Sequence, residues 1–287
     1  MAIDFSEENI TEIAIERLGA VEDARFKEIM SKLIQHLHGF VRDAEITMSE
    51  WGVAIDFLTR TGQMCDDKRQ EFILLSDTLG VSMLVDAITN RKEQGSTESS
   101  VLGPFYREDA PMFDNGSDIS GPVDGEEALI RGRVLSSDGS PIEGAVLDVW
   151  QAAPSGLYEE QDPDQPDMNL RGRFRTGADG GYWFKTVKPA GYPIPVDGPV
   201  GEMLRKMGRH NMRPAHLHFI VSAGGHSTVT TELYTRGDEY LETDTVFGVK
   251  DSLVVDYLPL PDSEKQSAEM PHGKWLLDYD FKLDKAA

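Results

Sequence analysis

The sequence predicts a mainly β protein: an antiparallel β-sandwich over residues 101–287, preceded by an α-helical segment over residues 1–100. Three observations predict it. Apolar residues recur at steps of three and four through the first hundred positions, the period of helices with one buried face. After "NRKEQGSTESS" the texture changes to short alternating runs broken by Gly and Pro, the pattern of half-buried strands. Asp-Gly pairs in "SSDGSP" and "ADGG" supply tight turns between such strands.

Taken in order, "RFKEIMSKLIQHLHGFV" sets Phe26, Met30, Leu33, Leu37 and Phe40 on one stripe. Thr47 and Glu50 have capping-box spacing ahead of a second stripe, Trp51, Ile55 and Leu58. "EFILLSDTLGVSMLVDAIT" adds Phe72, Leu75, Leu79 and Met83. Such stripes are packing surfaces, here for a helical bundle set against the rest of the chain or against a second copy. The strands expected next are "ALIRGRVL", "GAVLDVWQA", "GRFRT", "GYWFKTV", "AHLHFIVS", "TVTTELYT" and "DSLVVDY". Between the second and third lies "APSGLYEEQDPDQPDMNLRG", too polar and proline-rich for a strand. Loops of that length in compact domains are usually functional.

Charge narrows the partners. Lys plus Arg number 28 against 50 Asp plus Glu, a formal net charge of −22. Nucleic acid would be repelled, and there is no basic patch for an anionic membrane. Cys65 is the sole cysteine, so neither a disulfide framework nor a thiolate cluster is available. "MAIDFSEENI" lacks the basic and apolar regions of a secretory signal, and no run approaches a membrane span. A cytoplasmic protein is expected.

The chemistry concentrates in "MRPAHLHFIV". On a strand, His216 and His218 share one face and Leu217 and Phe219 the other, with the imidazoles roughly 7 Å apart at Cα, close enough to share a metal ion. The same pattern also fits one core histidine and one solvent-facing one. Tyr158, in the irregular insertion, and Tyr192, in "KPAGYPIPVDGP", are the conspicuous remaining donors. A phenol, with a reference pKa of about 10, ligates at neutral pH only if a strong Lewis acid displaces its proton. Fe³⁺ is hard enough; Zn²⁺ rarely uses phenolate. Arg213 stands either as a surface ion pair or as a fixed guanidinium facing charge on a bound substrate.

Over Val101 to about Tyr257 these residues resemble the intradiol ring-cleaving dioxygenases, through "LGPFY", "GRVLSSDGSPIEGAVLDVWQA", "GLY", "LRGRFRT", "GYWFKTVKPAGYPIP", "RPAHLHF" and "GDEYLETDTVFGVKDSL" in the family's order. The helical N-terminus resembles the dimerising segment of the catechol-type branch, which implies a homodimer. "GYPIPVDGPVGEMLRKMGRH" and "VFGVKDSLVVDY" look most like the members that cleave hydroxyquinol. The resemblance implies Fe³⁺ held by Tyr158, Tyr192, His216 and His218, with Tyr192 and His218 axial. It makes Arg213 and Tyr192 catalytic. Leu74, Asp77, Val101, Leu102, Gly103, Pro104, Phe105, Ile194 and Pro195, with Arg213, would shape the substrate pocket.

The implied reaction opens hydroxyquinol (benzene-1,2,4-triol) with O₂ to 3-hydroxy-cis,cis-muconate, whose keto form is maleylacetate; catechol or a chlorocatechol is the alternative substrate. Glu232 departs from the pattern, since many catechol-type members carry Gln there. Two other classes stay open: a metal-free β-sandwich binding module, and a cupin-like site built from His216, His218 and Glu232.

Overall fold

The computed structural model describes residues 4–66, 69–91 and 95–286. They divide into two compact units, parted in sequence between Arg60 and Thr61. The first holds α1 (Ile10–Glu16), α2 (Ala24–Asp43) and most of α3 (Met48–Gln63). Asp23 starts α2 by accepting the Phe26 N–H at 3.0 Å. The capping box before α3 is formed: the Thr47 N–H donates to Glu50 at 2.9 Å and the Glu50 N–H to the Thr47 hydroxyl at 3.3 Å. Arg42 ties α2 to α1 through the Thr11 hydroxyl at 2.7 Å. The stripe on α2 is uncovered in the single chain, with Leu33, Leu37 and Phe40 52%, 53% and 58% exposed.

The second unit begins with α4 (Glu71–Thr78) and α5 (Val81–Thr89). Then follow β1 (Glu127–Ser136), β2 (Val146–Trp150), β3 (Arg171–Arg175), β4 (Gly181–Val187) and β5 (Tyr192–Pro193). Helix α6 (Pro199–Lys206) precedes β6 (Met212–Arg213), β7 (His216–Ser222) and β8 (Val229–Thr235). The chain ends with β9 (Val254–Val255), β10 (Leu258–Pro259), α7 (Asp262–Ser267), β11 (Trp275–Asp278) and β12 (Phe281–Leu283).

One sheet runs β3-β2-β7-β8-β9; the other runs β10-β11-β1-β12, with β4 also on β1; β5 and β6 form a separate ribbon. Each expected strand is present. The sheets, however, are mixed, which corrects the expectation of a purely antiparallel sandwich. β11 and β12 lie parallel to successive halves of β1, pairing Ala128 with Trp275 and Val134 with Phe281, and β9 lies parallel to β8. Alternation along a strand records which face is buried, not the direction of the partner, and β11 and β12 are too short to announce themselves.

The sandwich core fills from both sheets, with Leu147, Val149, Phe174, Leu217 and Phe219 facing Ile130, Val134, Phe184 and Phe281. Phe174 and Phe184 stack across it at 4.7 Å. Along β7 the core takes Leu217, Phe219 and Val221, so His216 and His218 project from the opposite face of the sheet. That face is buried too, because loops rather than a second sheet close over it.

Candidate metal centre

Register assembles the centre. Pairing of β7 with β8 sets His216 opposite Tyr234 and His218 opposite Glu232; pairing with β2 sets Trp150 opposite His218. The Trp150 indole stacks on the His218 ring at 4.7 Å and 5°. In the ribbon, Tyr192 pairs with Arg213, so one short hairpin delivers both. Tyr158 arrives at the edge of the irregular insertion, just before a single 3₁₀ turn over Glu159–Gln161. Tyr158, Tyr192, Arg213, His216 and His218 are all buried.

The donor atoms converge. His216 Nε2 lies 3.1 Å from His218 Nε2, which lies 3.1 Å from the Tyr158 hydroxyl. Tyr192 approaches Tyr158 edge-on at 5.5 Å between rings. The tautomers follow from the outer nitrogens. His216 Nδ1 sits 2.6 Å from the Pro214 carbonyl, which only accepts, so Nδ1 carries the proton and Nε2 a lone pair. His218 Nδ1 is 3.2 Å from Glu232 Oε1, though off the line of its N–H. A carboxylate on that side again leaves Nε2 as the free donor. Burial lowers the pKa of both imidazoles, His218 the further, so neither is charged at neutral pH. Two lone pairs 3.1 Å apart in a buried site suit a cation between them.

Around this cluster lies a second tier of charge. Arg213 donates to Glu232 Oε1 at 2.8 Å and Oε2 at 3.0 Å, to Asp244 twice at 3.2 Å, and to the Tyr234 hydroxyl at 3.2 Å. Its Nη1 is 3.3 Å from His216 Nε2. Glu232 Oε2 also takes the Ser100 hydroxyl at 2.8 Å and the Tyr234 hydroxyl. Burial alone would raise the Glu232 pKa, but the Arg213 guanidinium outweighs it and holds the group ionised, below the usual carboxylate range. Burial raises both tyrosines, Tyr158 well above the ordinary phenol value, so they lose their protons only to a strong Lewis acid.

The substrate-pocket candidates divide. Gly103 stands against His218: its φ of +74° favours glycine, and a Cβ would meet His218 Cε1 at 3.0 Å. Phe105 stacks on Tyr158 at 4.4 Å. Ile194 is buried, held by the Asn211 carbonyl at 2.8 Å. Asp77 is half-buried, not an exposed helix residue; desolvation raises its pKa while the Arg213 charge opposes the rise. Leu74 lies one turn earlier on α4, also half-buried. Val101 is half-buried, whereas Leu102, Pro104 and Pro195 face solvent.

The comparisons with known proteins fit this arrangement. A family model described as "Dioxygenase" matches residues 101–285, and one described as "Catechol dioxygenase N terminus" matches residues 23–97. The chain belongs to the intradiol ring-cleaving dioxygenases. A hydroxyquinol 1,2-dioxygenase of a Rhizobium species is 50% identical, over 97% of this chain and 96% of that one. A 6-chlorohydroxyquinol 1,2-dioxygenase of Cupriavidus pinatubonensis is 46% identical, over 98% of each. The solved hydroxyquinol 1,2-dioxygenase of Pseudomonas putida superposes with a TM-score of 0.93 at 48% identity, over 98% of this chain and 99% of that one.

For this dioxygenase the sequence left out Tyr234, Asp244, Ser100 and Trp150. Tyr234 alone carried a local signal, two residues beyond Glu232 and so on the same strand face.

Proposed function

We propose that the chain cleaves hydroxyquinol between its adjacent hydroxyl-bearing carbons, with O₂ as co-substrate and Fe(III) held by Tyr158, Tyr192, His216 and His218. The product is 3-hydroxy-cis,cis-muconate, the enol form of maleylacetate. The observation that carries the reading is the buried convergence of the Tyr158 hydroxyl with two imidazole Nε2 atoms, beside Tyr192. Hard anionic oxygens with neutral imidazoles suit a ferric ion, whereas a ferrous site takes two histidines and a carboxylate. Glu232 completes such a triad geometrically with His216 and His218. Both its oxygens are engaged by Arg213, which speaks for a paired carboxylate, not a ligand.

A ferric ion held by Tyr158, Tyr192, His216 and His218 would supply Lewis acidity toward the diol and activation of the ring toward O₂. The rest falls to the chain. The Tyr192 oxygen accepts one substrate proton, a role suited to a phenolate whose burial favours the neutral form. Arg213, held by Glu232 and Asp244, presents fixed positive charge to the oxygen on which charge develops. Phe105 and Gly103 shape the wall beside Tyr158 and His218 and keep water from the reacting carbons. Asp77 accepts a hydrogen bond from the third hydroxyl.

The test is colour and iron together. The purified protein is expected to be wine-red with about one iron per chain, since phenolate on a ferric ion absorbs visible light. Tyr158→Phe should shift or weaken that band and lower the iron content. A colourless preparation that opens hydroxyquinol at full rate would rule this centre out.

The helical segment over residues 1–100 is assigned to dimer formation, beside a catalytic domain over 101–287. Phe26, Leu33, Leu37 and Phe40 on α2, and Leu79 on α4's following turn, are about half exposed, and α2 buries no residue fully. Apolar surface this extensive marks an interface. A stable dimer of this kind buries more than about 2,000 Å² in total. Sedimentation should show a homodimer at micromolar concentration; a monomer there would contradict the assignment.

A further inference from the structure

Helix α4, which carries Leu74 and Asp77, has only eight residues, too few to hold its place by its own hydrogen bonds. Phe72 and Ile73 on its outer side are exposed. Besides its packing on α5, one stretch of chain, residues 197–209, grips both its ends.

At the first end the buried Glu71 carboxylate accepts the Val200 N–H at 3.2 Å, satisfying one of the free donors that open α6. Gly198 leaves the room for this approach, since a Cβ there would stand 2.4 Å from Glu71 Oε1 and 2.5 Å from Met64 Sδ. Arg69 closes the clamp, 2.9 Å from Glu71 Oε2 and at 2.9 Å from both oxygens of Asp197. At the other end Arg209, just past α6, donates through Nη1 to the Thr78 carbonyl at 2.5 Å. That carbonyl belongs to the last turn of α4, where no intrahelical N–H reaches it. Nη2 of the same guanidinium donates to the Thr245 carbonyl at 2.8 Å, and its carbon lies 4.8 Å from the centre of the Phe247 ring. Thr245 follows Asp244, which holds Arg213. One side chain thus sets the end of α4 against the loop that positions the active-site guanidinium.

We propose that Arg209, seconded by Glu71, is a positioning residue that sets the choice of aromatic substrate by fixing where α4 presents Asp77. The proposal rests on the reading of Asp77 as the partner of the third substrate hydroxyl. Neither residue belongs to the cluster of donor atoms, so iron content and colour have no reason to follow them. A displacement of about 1 Å is enough to cost as much as 10²-fold in a well-positioned reaction.

The experiment measures kcat/KM for hydroxyquinol and for catechol in the iron-loaded enzyme, for Arg209→Met, Arg209→Lys, Glu71→Gln, Asp77→Ala and the Arg209→Met/Asp77→Ala double variant. Visible spectra, thermal midpoints and amide hydrogen exchange over α4 are recorded alongside. Methionine keeps an apolar body over Phe247 and loses both carbonyl bonds. Arg209→Met should reduce the hydroxyquinol-to-catechol ratio about 10-fold, with the visible band unchanged and faster exchange in α4. Lysine should restore part of the ratio, and Glu71→Gln should move it the same way by less, which keeps the test available should Arg209→Met fold poorly.

In the Asp77→Ala background Arg209→Met should change the ratio no further. An unchanged ratio despite a lowered midpoint would overturn the proposal, leaving Arg209 a purely structural residue. An equal fall in the Asp77→Ala background would also overturn it, because Arg209 would then act by another route. If Asp77→Ala alone leaves the ratio at its wild-type value, the Asp77 reading itself falls and takes this inference with it.

Discussion

Arg213→Leu is expected to lower turnover of hydroxyquinol by roughly 10²–10³-fold, the loss that follows removal of one fixed electrostatic donor. The guanidinium is buried beside His216 Nε2 and held by two carboxylates and a phenol, so it needs no reorganisation when charge develops on the substrate. Removing it does more than delete that charge. Glu232 and Asp244 are left as buried carboxylates without their partner, a change that typically costs about 3–5 kcal/mol. The leucine variant should therefore melt earlier as well as turn over more slowly. Arg213→Lys separates the two effects: it restores a positive charge but cannot make the paired bonds to Glu232 and Asp244 together. Lysine is expected to recover most of the melting loss and only part of the turnover. Iron content and visible colour should persist in both variants, because Arg213 is not a donor to the metal. Turnover within about threefold of wild type despite a lowered melting point would make Arg213 structural, not catalytic. Loss of iron together with activity would mean that its work is to hold the ligands.

What could be read from the sequence was local, and what could not was pairing. Alternation through 216–222 places His216 and His218 together on one face, and the structure has them so, with Leu217 and Phe219 in the core. The same alternation says nothing of which strand lies alongside. Glu232 and Trp150 beside His218 are consequences of register between β7 and its two neighbours. Parallel pairing of β11 and β12 with β1 is hidden for the same reason. Asp244 lies in a loop after a 3₁₀ turn, where no periodic pattern marks an inward-facing carboxylate. Tyr158 and Tyr192 were conspicuous for their donor chemistry alone, since neither sits on a long strand. The mixed order of the sheets and the two-carboxylate setting of Arg213 are long-range facts, set by contacts between segments far apart in the chain.

The second large effect concerns the substrate. Catechol and hydroxyquinol both chelate through adjacent oxygens and differ by one ring hydroxyl. A site built to hydrogen-bond that hydroxyl rejects the analogue lacking it by about 10⁴-fold or more, because its own polar group is left unpaired. Asp77 is the candidate for that group. It lies half-buried on α4, where desolvation raises its pKa and the Arg213 charge opposes the rise. Burial already disfavours its charged form, so a hydrogen bond from the substrate compensates what desolvation takes away. Wild-type enzyme should therefore open hydroxyquinol with a kcat/KM far above that for catechol. Asp77→Ala should narrow the gap by slowing hydroxyquinol much more than catechol, and Asp77→Asn, which retains a side-chain acceptor of the same shape, should fall between. A loss shared equally by both substrates would point to damage to the pocket wall, with Asp77 relieved of any part in selection. A higher kcat/KM for catechol or a chlorocatechol in the wild-type enzyme would overturn the substrate assignment. It would leave the proposed donor set of Tyr158, Tyr192, His216 and His218 untouched, because every one of these substrates shares the two adjacent ring oxygens that a metal held there would engage.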